Sequence, residues 1–327
     1  MMKGLIKHKL PVKACAILLM TLAVAFCLPI KSEARKFTLD PNPYDFLSVP
    51  TQLTRLGQDW FLVDCYHNQI LTSKSVSEPV KNWKVMANGF DGPHAITWDG
   101  EIYMAVDTEH NRVITYKKTW DGFEELQTIP NVGVRPHHVQ YDWERGCFMV
   151  WSSMSGEMYY FVKTPGTKEV ELVGVQQVPE LLGHYVRSFT VDGELIYLPC
   201  ADVGAVWVVD RDSFKTLQTI QVLQEIAGIV NIAHIGAHYY ISVSTDILFD
   251  TSKATMVRVN KLADLGTGTY ENLKSLIGEG GPYYFSNIDG VWYAPVPREN
   301  KKAAGIRFQE DANGNIANFK EISYRYE

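Results

Sequence analysis

The sequence lacks the short motifs that would assign a reaction outright. No Gly-x-Ser-x-Gly, His-Glu-x-x-His or phosphate-binding Gly-Lys loop occurs in its 327 residues, so serine-hydrolase, metalloprotease and nucleotide-hydrolase readings lose their support. Cysteine is scarce. Of five, Cys15 and Cys27 fall in the N-terminal segment, which leaves Cys65, Cys147 and Cys200, an odd number, each in an apolar run. That argues against a disulfide framework and for buried thiols. No Asn-x-Ser/Thr sequon is present, which fits a bacterial export product better than a eukaryotic secreted one. Positive charge is also short: the net charge is -6, and residues 1–34 hold five Lys and one Glu, so the remainder carries -10. A body that acidic repels phosphate backbones, so no nucleic-acid partner is expected. Beyond residue 30 no apolar run approaches the ~18 residues of a membrane span. Helical periodicity is confined to short pieces at 221–226 and 270–276, which leaves an α/β fold with little support.

What is present begins with an address. Lys3, Lys7, Lys9 and Lys13 precede an uncharged apolar stretch over 14–30, followed by Lys31-Ser32-Glu33-Ala34. This is the layout of a secretory signal peptide over 1–34, with Ser32 and Ala34 placed for cleavage after Ala34; bulky Phe26 before Cys27 argues against lipoprotein processing. The expectation is a secreted or periplasmic protein with no membrane span after signal removal. The alternative is an uncleaved N-terminal membrane anchor.

A repeat then organises the chain. Asp64-Cys65-Tyr66-His67-Asn68-Gln69-Ile70 recurs as Asp107-Thr108-Glu109-His110-Asn111-Arg112-Val113, 43 residues on. Extended outward, a short strand, a Gly-containing turn and a second apolar strand can be laid over the chain six times, starting near Thr51, His94, His137, Arg187, Asn231 and Tyr283. Each unit has room for four strands; the second reads as 94–98, a turn at Asp99-Gly100, then 102–106, 112–117 and 123–129. Such units cannot bury both sheet faces alone, and radial stacking covers them. The expectation is an all-β, six-bladed β-propeller of four-stranded antiparallel blades over 35–327. Residues 35–50 would cross the surface, and 319–325 would close the ring unless an N-terminal strand is swapped into it.

The runs 60–70 and 103–113 resemble NHL repeats, in which an apolar strand ends in Asp and is followed by Asn and a basic-aliphatic pair. Gly92-Pro93-His94-Ala95-Ile96 and Arg135-Pro136-His137-His138-Val139 are similar to blade starts of virginiamycin B lyase and gluconolactonase-like propellers. The likeness is weaker over the later units, where Ser152-Ser153, Pro199-Cys200 and residues 242–245 replace the Asp-containing turn, and it speaks to fold more than to function. It implies that the first residues of the inner strands ring the mouth of a central channel: Thr51, His94, His137, Arg187, Asn231 and Tyr283. Of these only Asn231 fits the carboxylate and amide metal ligands of the gluconolactonase-like families.

The chemistry of that ring admits several outcomes. His94 and His137, on neighbouring blades, can share a divalent metal, with His138, His184 or Asp91 as third ligand; otherwise the imidazoles hydrogen-bond across the channel or to water within it. Arg187 is costly to bury without an anion, which favours an acidic or polar ligand unless Glu225 or another loop acid pairs with it. Tyr283 and Asn231 can orient a carboxylate or sugar hydroxyls, His94 or His137 can act as acid or base, and Arg135 and His184 sit in loops leading into the ring. The expected function is binding of a small polar or anionic ligand, or of a protein partner's segment, at the channel mouth. The alternative is a metal-assisted lyase or lactone-type hydrolase in the same pocket, and a third reading is a scaffold that uses only its outer surface. Trp60, Trp98, Trp151, Trp207 and Trp292, the Tyr159-Tyr160 and Tyr239-Tyr240 pairs, and His67 and His110 are expected to pack blades and shape turns. Asp311-Ala312-Asn313-Gly314-Asn315 reads as a hairpin with a type I′ Asn-Gly pair, not a calcium loop.

Overall fold

The computed structural model describes residues 35–325; the signal peptide expected over 1–34, with Cys15 and Cys27, lies outside them. Short apolar runs punctuated by Gly, Asn and Asp turns fold into six antiparallel sheets, the blades of a six-bladed β-propeller. Blade 1 comprises Pro50–Leu56, Asp59–Asp64, Gln69–Ser73 and Lys84–Asn88, and blade 2 Ile96–Trp98, Ile102–Asp107, Arg112–Lys118 and Gly122–Pro130. Blade 3 is Pro136–Asp142, Cys147–Ser152, Glu157–Lys163 and Val170–Gln177; blade 4 is Thr190–Asp192, Leu195–Cys200, Ala205–Asp210 and Thr216–Gln221. Blade 5 is Gly228–Ile235, His238–Thr245, Thr255–Val259 and Glu271–Asn272, and blade 6 is Ser286–Ile288, Val291–Val296, Ala304–Glu310 and Ile316–Ser323.

Among the described residues no N-terminal strand is swapped into the last blade. Instead Asp40–Pro41 and Lys36–Thr38 add a fifth, outermost strand to blades 1 and 2, so the proline-rich segment covers two sheet edges. The ring closes by packing: Trp60 meets Tyr293 edge-on with centroids 4.8 Å apart, and the Tyr284 amide donates to the Thr51 carbonyl at 3.1 Å. Helix is confined to single turns such as Gln224–Ile226 and Lys274–Ile277, and among the described residues no helix is long and apolar enough to cross a membrane.

The 43-residue repeat has a mechanical cause. Asp64 and Asp107 end the second strands of their blades, and their Oδ1 atoms accept the backbone N–H of Ser48 and Asp91, each at 2.7 Å. Their Oδ2 atoms face Nδ1 of His67 and His110. Asn68 and Asn111 follow in the left-handed conformation, φ 55° and 53°, which asparagine tolerates, and their side-chain carbonyls accept the N–H of Gly92 and Arg135 at 3.0 and 2.7 Å. Each repeat therefore fixes the chain two residues before the next blade's inner histidine.

Inner strands of adjacent blades belong to separate sheets, and side chains supply hydrogen bonds between them. Thr51 Oγ1 donates to the His94 carbonyl at 2.8 Å, Gln52 Oε1 accepts from the Ile96 amide, Ser188 Oγ donates to the Val230 carbonyl, and the Asn231 side-chain carbonyl accepts from the Phe285 amide. Apolar side chains fill the layers between blades; Trp151 is fully buried and donates Nε1–H to the Val186 carbonyl, while Trp60 and Trp207 are also buried. Tyr159 and Tyr240 turn inward and their neighbours Tyr160 and Tyr239 are half-buried. The last hairpin departs from a type I′ turn: Gly314 has φ 79° but Asn313 is not left-handed, and Asp311 Oδ1 instead caps the amides of Asn313 and Asn315 at 2.9 Å.

Candidate functional site

The channel mouth is a cavity of about 1110 Å³ whose wall takes residues from all six blades, among them Cys65, His94, Arg135, Tyr185, Arg187 and Tyr283. At its floor His94 and His137 lie with ring centroids 3.7 Å apart, tilted by 35°. His94 donates Nδ1–H to the Gly92 carbonyl at 2.8 Å, with Thr108 Oγ1 at 3.0 Å. Its Nε2 therefore carries the lone pair, facing Cys65 Sγ at 3.7 Å. The Tyr284 hydroxyl donates to the Arg187 carbonyl at 2.7 Å and so accepts from Nδ1–H of His137 at 2.8 Å, which leaves His137 Nε2 toward the Tyr185 hydroxyl at 3.4 Å.

Both imidazoles are held neutral. Burial, followed by the positive charge of Arg135 and Arg187, lowers the His94 pKa to about 3; the same causes, with His94 itself, push His137 well below its ordinary range. Burial likewise raises the Cys65 thiol to about 12, so it remains an S–H donor toward His94.

Arg187 is 7% exposed and, among the described residues, has no carboxylate within ion-pair distance. Glu225, its anticipated partner, accepts instead from the Tyr270 hydroxyl at 3.0 Å. The guanidinium donates to Ser244 Oγ and lies 4.9 Å over the Tyr185 ring, while its Nε is buried without a partner. Arg135 stands 5.6 Å over the same ring, binds Glu109 at 2.5 Å, and also has an unpartnered buried Nε. The floor thus sets Arg187, which has no acid partner, and the Glu109-paired Arg135 around one tyrosine beside two uncharged imidazoles.

The structure sorts the anticipated residues. His94, Arg135, Arg187 and Tyr283 line the cavity, Asp91 stands in its wall, and His137 lies directly behind His94. Thr51 and Asn231 are not in the wall, because their side chains are spent on the blade-to-blade bonds described above. His138 points to the other face of its strand, its ring edge-on to Phe189 and Tyr284. His184 binds Asp202 at 3.0 Å, away from His94. Among the described residues the group of three metal-capable donors is His184, Cys200 and Asp202, and neither His94 nor His137 belongs to it. Tyr185, Tyr284 and Lys274 escaped the sequence reading. A positional signal existed for Tyr185: it stands two residues before Arg187, as Arg135 does before His137 and Gly92 before His94.

No protein-family model matches the chain, and no curated protein matches it. Solved structures do. A Bacteroides fragilis protein provisionally named a 6-phosphogluconolactonase is 15% identical, with TM-score 0.56, over 85% of this chain and 86% of its own. A streptogramin B lyase is 10% identical, with TM-score 0.55, over 90% and 88%. The Kuenenia stuttgartiensis hydrazine synthase is 15% identical, with TM-score 0.55, over 85% and 79%. Likeness at this level of identity establishes a shared propeller fold.

Proposed function

We propose that this is an exported propeller that binds a small anionic ligand, a carboxylate or sugar acid, at the channel mouth. The observation that carries the reading is Arg187: a guanidinium buried beside a cavity, with no acid partner and an unsatisfied Nε, is stabilised by an anion brought from outside. Arg135, although paired with Glu109, offers further guanidinium donors, Tyr283 supplies a hydroxyl at the wall, and the neutral imidazoles add no competing charge. Export rests on the basic and apolar pattern of residues 1–34.

Calorimetry and thermal shift against a panel of carboxylates and sugar acids test this. The wild type should be stabilised by some of them, and Arg187→Gln should lose roughly ten- to hundredfold in affinity, the worth of a charged hydrogen bond. Hits retained in Arg187→Gln would place the ligand elsewhere. A metal-assisted lyase or lactone-type hydrolase is the second reading, supported by the lone pair that His94 presents on Nε2 beside the cavity. It ranks second because an imidazole with a pKa of about 3 is a weak base at neutral pH. Lactone turnover lost in His94→Ala would promote it.

A further inference from the structure

We propose that His184, Cys200 and Asp202 form a binding site for a divalent transition metal, zinc above all, in the loops of blade 4. The donor atoms, His184 Nδ1, Cys200 Sγ and an Asp202 carboxylate oxygen, all lie within 4.8 Å of one another. His184 Nδ1–H donates to Asp202 Oδ2 at 3.0 Å and the Cys200 thiol donates to Oδ1 at 3.1 Å. The three donors thus already converge, held together by two protons that one cation would replace.

Comparison between blades shows that the Cys200 thiol, packed at the edge of a core cluster, takes no part in holding the incoming loop. Cys200 ends the second strand of blade 4, the position that Asp64 and Asp107 hold in blades 1 and 2. The structural duty of those aspartates, accepting the backbone N–H of the incoming loop, has moved to Asp202, whose Oδ1 accepts from the Tyr185 amide at 2.9 Å. In blades 1 and 2 one carboxylate and one histidine suffice. Blade 4 keeps both and adds a sulfur at the vacated register position.

Imidazole, thiolate and carboxylate together select zinc or its analogues over magnesium or calcium, which take oxygen donors. Three protein ligands leave a fourth position for solvent. On binding, the metal–sulfur bond forms as the thiol proton leaves to solvent, and the His184 proton moves from Nδ1 to Nε2. One proton is released per metal ion, and nothing is oxidised or reduced. The site uses neither Arg187 nor His94, so it stands or falls separately from the anion reading.

The test is titration of the reduced, purified protein with Co²⁺. The expected result is one ion per chain, a near-ultraviolet thiolate-to-cobalt band, release of one proton, and displacement by Zn²⁺. Cys200→Ser should abolish the band, His184→Ala should weaken binding by about tenfold or more, and Cys65→Ser and Cys147→Ser should leave both intact. Absence of a band in the wild type, or its survival in Cys200→Ser, overturns the proposal. His184→Ala removes a half-exposed side chain and keeps the test decisive should Cys200→Ser fail to fold: unchanged affinity there also overturns it.

Discussion

His94 and His137 stack from neighbouring blades at a centroid distance of 3.7 Å, an arrangement open only to imidazoles that are not both charged. Each donates Nδ1–H to a fixed acceptor, Gly92 carbonyl or Tyr284 hydroxyl, and each has the buried Arg187 and the half-buried Arg135 nearby. The floor of the cavity is therefore uncharged at the imidazoles and positive at the guanidinium groups.

Acid should undo this. His94 and His138, both buried, have folded pKa values of about 3, below the ordinary 6.5, so between those limits the unfolded chain binds more protons than the folded one. Stability is then flat above pH ~6.5 and falls as pH drops, by about 1.4 kcal/mol per pH unit for each such imidazole. Urea midpoints from pH 7 to 4 measure the slope. His138→Leu removes one proton site together with an unpartnered buried Nδ1, and should make the decline shallower without loss at pH 7. An identical slope in the variant would show that His138 is not held neutral.

Arg187 should behave as a functional cost. Its charge is buried without a counter-ion, so Arg187→Gln should leave the ligand-free melting temperature unchanged or raised, while anion affinity falls. A loss of stability of ~3 kcal/mol, the signature of breaking a buried pair, would instead assign Arg187 to the architecture.

Thr51 and Asn231 carry the opposite expectation. Thr51→Val deletes a fully buried bond to the His94 carbonyl and should cost about 1 kcal/mol; Asn231→Leu also strands the Phe285 amide and should cost about 2 kcal/mol. Neither should shift anion affinity, as read by calorimetry at a temperature where both variants are folded.

The fold was legible because its signals are local. Strand alternation, the Asp99-Gly100 type of turn and a 43-residue self-similarity each report a physical constraint that recurs blade by blade. The site was legible only where it shares that periodicity: His94 and Arg187 lie just before, and His137 just inside, inner strands that begin at Ile96, Thr190 and Pro136, so the expected strand starts are displaced by a few residues but the blade-by-blade register holds. The same register misplaced Thr51 and Asn231, because a residue at the ring can spend its side chain on the next blade's backbone, and sequence spacing does not distinguish the two uses. Tyr284 was hidden for the converse reason. It sits just before the inner strand Ser286–Ile288, yet its hydroxyl reaches across the ring to His137, 147 positions earlier, a contact that exists only once the circle is closed. The Asp-containing turn was also present in blade 4, with its carboxylate displaced to Asp202.

That turn makes one further prediction, because it couples the repeat to the cavity. Asn111 does two things: it occupies a left-handed backbone position with φ 53°, and its side-chain carbonyl holds the Arg135 amide, itself at φ 60°, at 2.7 Å. Asn111→Ala should suffer on both counts, about 1–2 kcal/mol for the backbone and about 1 kcal/mol for the lost bond. Asn111→Gly relieves the first and keeps the second. If the repeat positions Arg135 over Tyr185, both variants should lose anion affinity to a similar degree while differing in stability. Affinity that instead tracks stability would mean that Arg135 finds its place without the asparagine, and that the repeat serves the ring alone.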